Sequence, residues 1–212
     1  MFVISGVSGN TGSVVAQTLI DQGQPVRVIV RSKEKGTPWK AKGADVAVAD
    51  ISDLDAMTKA LDGASGAYFL LPPDLADTDF IGESIKRAEA IVAAATAARL
   101  PHAVILSSVG AQHEYRVGPI KTIGHLEKLF VKAALPLTAV RPGYFLENIQ
   151  DVLPAVLHEG IYPSMILPLD RKIDMVATVD IGLTVADALI NPPSVPHRVV
   201  ELRGAAQYSA QD

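Results

Sequence analysis

The chain has no cysteine, which excludes disulfides and thiolate chemistry and weakly favours the cytoplasm. It has no basic excess: 19 Lys and Arg against 23 Asp and Glu leave a net charge of −4, which argues against a nucleic-acid surface. No run of like charges suggests a tail. No apolar run suits a membrane span, because the longest in a helical pattern, Ala88 to Ala98, carries Glu89 in an Ala-rich amphipathic context. Nothing resembles a signal peptide, since Met1 leads straight into an apolar strand pattern. The histidines at 102, 113, 125, 158 and 197 are scattered without metal-ligand spacing, so no metal is expected. What remains is a globular composition, 49% apolar and 20% charged over 212 residues, enough for one full core with at most a small appendage.

The first fifteen residues carry the strongest signal. Phe2, Val3 and Ile4 read as a buried strand, Gly6, Gly9 and Gly12 follow at spacing three, and a helical pattern begins. Val15 with Leu19 and Ala16 with Ile20 form one apolar face. A strand that turns through glycines into a helix is how proteins hold a dinucleotide pyrophosphate. Gly6 permits the turn, Gly9 lets the backbone approach the phosphates, and Gly12 lets helix and strand pack closely, while free N–H groups face the anion. The alternative is a glycine-rich turn with no ligand.

Gln22-Gly23 stops that helix, and Pro25 to Val30 reads as the second strand. Arg31, Lys33 and Lys35 follow, with no carboxylate before Glu34; cations there suit a 2′-phosphate, so NADP is expected rather than NAD. Solvated loop charges are the alternative. A short segment, Thr37 to Lys42, leads to a third strand, Ala44 to Ala49, read as a central strand buried on both faces. Asp50 and Ile51 end it, with Asp50 available to an adenine amino group or to the turn before the next helix. Asp53 caps a helix from Leu54 to Leu61. Ala67 to Leu71 is the fourth strand, halted by Pro72-Pro73, and Asp74 to Thr78 is a loop. A long helix from about Asp79 to Arg99 buries Ile81, Ile85, Ala88, Val92 and Ala95. The fifth strand, Ala103 to Leu106, ends at Ser107-Ser108. Alternating strands and helices without a sequence repeat predict an α/β fold with a doubly wound parallel sheet. Its crevice would be lined by Gly6, Arg31, Asp50, Pro72 and Ser107.

The glycine turn, the basic end of strand two, Asp50 and Ser107-Ser108 resemble the short-chain dehydrogenase superfamily. Three further stretches narrow the resemblance: His125-Leu-Glu127-Lys-Leu-Phe130, then Arg141-Pro142-Gly143-Tyr144-Phe145-Leu-Glu147-Asn148, and Asp174 to Gly182. Together they resemble the NmrA-like branch of atypical, Rossmann-type short-chain dehydrogenases, which holds quinone and dye reductases as well as non-catalytic redox sensors. The superfamily's reductases place a Tyr and a Lys four residues apart on helix five; measured back from Glu127, those slots hold Pro119 and Ile123 here. Lys121 is two positions from the Lys slot, about 200° around the helix, and cannot simply substitute. The resemblance therefore implies hydride transfer from NADPH to a small conjugated acceptor such as a quinone, with little help from the protein. The alternative it implies is an NADP(H)-binding sensor acting through a protein partner.

The cofactor contacts expected are Gly6, Ser8, Gly9, Asn10, Thr11, Gly12, Arg31, Lys33, Asp50, Ile51, Leu71, Pro72 and Ser107. By resemblance Pro142, Gly143, Tyr144 and Phe145 join them beneath the nicotinamide half, although Tyr144 and Phe145 suit a core equally well. Ser107, Lys121 and Asn148 are the catalytic candidates; Ser107 could instead end its strand with a local turn bond. His125 reads as a surface or packing residue. Residues 1–150 form the expected NADP-binding domain, and 151–212 a smaller, partly interleaved substrate-side segment. Within it, a helix from Asn148 to Leu157 is interrupted by Pro154, Asp180 caps a helix through Ile190, and Arg198 to Leu202 is a last strand. Ser209 to Asp212 reads as the start of a capped helix that stops, which suggests a shortened member with an open substrate cleft.

Overall fold

A computed structural model describes residues 1–72 and 78–212; Pro73 and the expected loop from Asp74 lie outside the described residues up to 77. The strands are β1 (Phe2–Ile4), β2 (Val26–Val30), β3 (Asp45–Val48), β4 (Gly66–Phe69), β5 (Ala103–Leu106), β6 (Leu137–Pro142), β7 (Tyr144–Phe145), β8 (Ile173–Val176), β9 (His197–Leu202) and β10 (Gln207–Tyr208). The helices are α1 (Asn10–Asp21), α2 (Lys33–Ala41), α3 (Leu54–Leu61), α4 (Phe80–Ala97), α5 (Ile120–Lys132), α6 (Ile149–Glu159) and α7 (Thr178–Ile190). Seven strands form one sheet in the order β3-β2-β1-β4-β5-β6-β9, with every pairing parallel. The fold is the doubly wound α/β sheet that alternating strand and helix patterns dictate.

Successive strand residues bury opposite faces. Phe2 and Ile4 pack with Val15, Leu19, Ile181 and Leu189 of α1 and α7, while Val3 between them packs with Met57, Leu61 and Ile91 of α3 and α4. Tyr68 and Phe69 divide in the same way, and the Phe69 ring lies 6.2 Å from that of Phe130 on α5. Both faces of the central strands are covered, which is why their sequences are apolar without alternation.

Several local expectations change. The third strand is the sheet edge, not its centre, because the chain reverses direction across the sheet after it; its four residues are exposed or half-buried. The stretch after Arg31 is a helix, α2, which contains Pro38 and buries only Gly36 and Trp39. A Cβ on Gly36 would lie 2.4 Å from Val46 Cγ1, so the helix rests close on the edge strand. α4 buries Ser84, Ala88, Ile91, Val92, Ala94 and Ala95, while Ile81 and Ile85 are only half-buried. α7 is not capped by Asp180. The Glu147 carboxylate accepts from the Thr178 backbone N–H at 2.9 Å and from its hydroxyl at 2.7 Å. Asp180 instead adds negative charge in the first turn, where the helix dipole favours it.

Beside the carboxyl ends of the main strands, β7 pairs parallel with β8, and β10 pairs antiparallel with β8. α6 runs through Pro154 without a break and buries none of its residues. The ring costs the helix the hydrogen bond to the exposed first turn, where that loss is cheapest. α7 packs against α1, and β9 joins the main sheet beside β6. The last residues form a turn rather than a helix start: Asp212 accepts from the Ser209 backbone N–H and hydroxyl.

His102, just before β5, is buried, with Nε2 3.0 Å from Thr138 Oγ1 and Nδ1 shielded without a partner. Burial holds its pKa below the ordinary 6.5. The unfolded chain therefore takes the proton first: no penalty exists above 6.5, and stability is lost as pH falls from there toward the folded value. His102→Gln is expected to flatten the fall of the urea midpoint between neutral and mildly acidic pH. An unchanged pH profile would contradict this.

Candidate functional site

The sheet reverses direction between β1 and β4, the point where open α/β sheets form a crevice at their carboxyl ends. The Gly6–Gly12 turn sits there. Gly6 has φ +67°, and a Cβ on it would lie 2.5 Å from Leu70 Cδ2. A Cβ on Gly12 would lie 2.4 Å from the Gly6 carbonyl oxygen and 2.8 Å from that of Ser5, so only hydrogen fits between α1 and the strand end. Gly9 is exposed, and a Cβ there would meet nothing nearer than the Gly6 oxygen at 3.4 Å. Its bare backbone faces outward.

α1 starts without a cap. Gly9 offers no side chain, and no acidic residue occupies the first turn. α3 and α4 differ: Asp53 accepts from the Ala56 N–H and Asp79 from the Gly82 N–H, both at 3.0 Å. Unlike those two helices, α1 leaves its orphan N–H groups and positive dipole end open toward the crevice. Ser8 and Asn10 are exposed beside them. The Thr11 hydroxyl is not available, because it is buried at 3.0 Å from the Tyr68 hydroxyl, whose pKa burial pushes up. Thr11 can offer a ligand only its backbone.

Arg31 and Lys33 are exposed at the end of β2 and the start of α2. Asp50 accepts from the Ser52 backbone N–H at 2.9 Å and from its hydroxyl. These bonds, with the charges of Arg31 and Arg87, hold its carboxyl below the usual range. Asp50 therefore shapes the turn after β3 and stands near Arg31 as a charge. Ile51 and Leu71 are half-buried and packed against the core, and Pro72 is exposed.

Ser107 does not end β5 with a local turn bond. Its buried hydroxyl donates to Glu127 Oε1. Glu127 also takes both arms of Arg141, from Nε at 3.0 Å and from a terminal nitrogen at 2.5 Å. With side chains only 12% and 11% exposed, Arg141 and Glu127 form a buried bidentate pair that commits the Ser107 proton. The contact of Glu127 with Arg141 and Ser107 is one that sequence reasoning did not reach; the one available signal was a carboxylate inside the apolar stripe of Ile123, Leu126 and Phe130.

Pro142 and Gly143 are buried, and a Cβ on Gly143 would lie 2.5 Å from the Asp174 carbonyl oxygen, so the two sheets meet there backbone to backbone. Phe145 packs against the core, whereas Tyr144 is 37% exposed. Asn148 is half-buried at the start of α6 and makes no cap bond. Pro119 and Ile123, in the usual Tyr and Lys slots, stand just before and within the first turn of α5. Lys121 is exposed on another face of that helix. Among the described residues no group of three His, Asp or Glu could hold a metal, and no helix is long and apolar enough to cross a membrane.

A parallel, doubly wound sheet with a glycine turn at its reversal point is a Rossmann-type fold. Residues 1–210 match the NmrA-like family, and the chain belongs to it. It is 23% identical over 193 residues to an NAD(P)H azoreductase of Xenophilus azovorans, covering 91% of this chain and 64% of that protein. It is 26% identical over 211 residues to quinone oxidoreductase 2 of Escherichia coli, covering 99% of this chain and 70% of that protein. The chain thus spans 64% of the azoreductase's length, slightly under two thirds. The NADPH complex of an NADPH-dependent quinone oxidoreductase from Escherichia coli superposes with a TM-score of 0.85 at 23% identity, covering 99% of this chain and 71% of that one. A triphenylmethane reductase of Citrobacter sp. superposes at 0.84 and 20% identity, covering 98% and 71%.

Proposed function

We propose that the chain binds NADP(H) and is an oxidoreductase that passes hydride to a small conjugated acceptor, a quinone or an azo compound. The observation that carries the reading is the uncapped amino end of α1 above a glycine turn that only hydrogen atoms fit. The N–H groups of Asn10, Thr11 and Gly12 would hold the pyrophosphate, while the Gly9 N–H closes the turn onto the Gly6 oxygen at 2.9 Å; Arg31 with Lys33 would meet the 2′-phosphate. When bound, the nicotinamide supplies the hydride. The acceptor class is supported by the two relatives named for azo and quinone reduction. It is supported too by the chain's own chemistry: no Tyr/Lys pair is present, and the Ser107 proton is committed to Glu127. A quinone needs no protein acid, because its reduced oxyanion is already stable and takes its proton from water. The same lack of a free acid favours a second reading, a cofactor-binding sensor with a protein partner.

Consumption of NADPH with a panel of quinones and azo dyes separates the two: turnover on any acceptor supports the reductase, and tight cofactor binding without turnover supports the sensor. For cofactor choice, Arg31→Ala is expected to weaken NADPH by roughly tenfold, the order of one lost charge-assisted contact, and to leave NADH unchanged. Equal affinities for both cofactors, unmoved by the substitution, would remove the NADP preference.

A further inference from the structure

Tyr68, in β4, holds the Gly6–Gly12 turn at both ends. Its carbonyl accepts from the Ser5 backbone N–H at 3.1 Å and from the Ser5 hydroxyl at 3.0 Å, where the chain leaves β1. Its own hydroxyl lies 3.0 Å from that of Thr11, in the first turn of α1. Tyr68 has no exposed surface, and Ser5 and Thr11 are 5% and 4% exposed, so the hold lies beneath the turn, out of reach of any ligand.

Burial pushes the Tyr68 phenol pKa up, so the group stays neutral and serves as a hydrogen-bonding post, not as an acid. Among the described residues no other side-chain hydrogen bond joins residues 10–13 to the sheet. Ser13 bonds only its own turn, at the Asn10 carbonyl, 2.9 Å away. Close contact at Gly12 sets how near α1 comes to β1, but van der Waals contact has no preferred direction and leaves the helix free to roll. A hydrogen bond is directional, and in a dry interior it is stronger than at the surface. The Thr11 hydroxyl and the Thr11 N–H belong to one residue, so fixing the first aims the second.

We propose that Tyr68 is a positioning residue for the pyrophosphate cradle: through the Thr11 hydroxyl it sets the angle at which the first N–H groups of α1 face the anion. The inference rests on the cofactor reading above. Its test is a double-mutant cycle of Tyr68→Phe and Thr11→Val, read by fluorescence titration with NADPH and with NADH and by urea unfolding. Each single variant is expected to weaken both cofactors by the same factor, roughly three- to tenfold, because the pyrophosphate is common to both. The double variant strands no buried hydroxyl, so it is expected to recover most of the urea midpoint that the single variants lose. It is expected to bind no more tightly than they do, because all three lack the same bond. A bond that serves stability alone gives the opposite result, affinity returning with the midpoint. Thr11→Val, the smaller change, carries the prediction by itself should Tyr68→Phe not fold. The assignment is overturned if a single variant binds both cofactors like wild type, if the double variant regains affinity, or if the loss falls on NADPH alone. A wild-type chain that binds neither nucleotide removes the cofactor reading, and this inference with it.

Discussion

Replacing Gly12 with valine is expected to weaken NADPH binding by at least about a hundredfold, a loss of about 2.7 kcal/mol, and to lower stability as well. The new Cβ would stand 2.4 Å from the Gly6 oxygen, 2.6 Å from its carbonyl carbon and 2.8 Å from the Ser5 oxygen. All three are backbone atoms, so no side chain can swing aside. α1 must withdraw from β1, and its orphan N–H groups leave the position from which they face an anion. Overpacking of this kind costs roughly 1–3 kcal/mol. Gly9→Ala provides the contrast. Its Cβ would meet only an ordinary contact at 3.4 Å, at φ −102°. The variant is expected to keep the wild-type urea midpoint yet lose NADPH affinity, because its methyl group occupies the path of the phosphates. Fluorescence titration with NADPH beside urea unfolding distinguishes the two effects. If Gly9→Ala binds NADPH like wild type, the phosphates do not pass over that backbone.

Glu127→Ala is expected to cost about 3–5 kcal/mol, the range for removing one partner of a buried ion pair. The substitution strands the Arg141 guanidinium, whose pKa Glu127 raises through its hydrogen bonds, and frees the Ser107 hydroxyl. Arg141 keeps a hydrogen bond to Gln112, at 3.3 Å, and the more distant charge of Glu201. Glu127→Gln retains an acceptor for Ser107 but not the charge, and should fall between wild type and Ala. The urea midpoint with an unchanged m-value measures the effect. Since the pair is buried, added salt should barely alter the difference. A loss under about 1 kcal/mol, typical of exposed pairs, would contradict the bidentate geometry.

What the sequence discloses is local. The Phe2–Ile4 strand, the glycine spacing and the Val15–Leu19 face lie within one short stretch, and each constrains its neighbours through backbone sterics. The cap at Asp53 is legible for the same reason, since side chain and N–H are three residues apart. What escapes is set by contacts across the fold. Whether β3 is an edge or a centre depends on where the next strand joins the sheet, and nothing within Ala44 to Ala49 records that. α2 carries Gly36 and Pro38 and buries a single large side chain, Trp39, so it lacks the apolar stripe that marks a helix. α7 is capped from 31 residues away by Glu147, which no local pattern can reveal while Asp180 stands at the expected spot. The Ser107–Glu127–Arg141 cluster likewise joins a strand end, a helix and a second strand. The chemistry of Ser107 is decided there, not by its own neighbours.

The central claim is that the amino end of α1 receives a dinucleotide pyrophosphate. Its most direct test is the melting temperature of the wild-type protein titrated with NADPH. A ligand at a hundred times its Kd adds about 2.7 kcal/mol, so a rise of several degrees that grows with the logarithm of NADPH concentration is predicted, and one several times smaller in Gly12→Val. A melting temperature that does not move at saturating NADPH would contradict it.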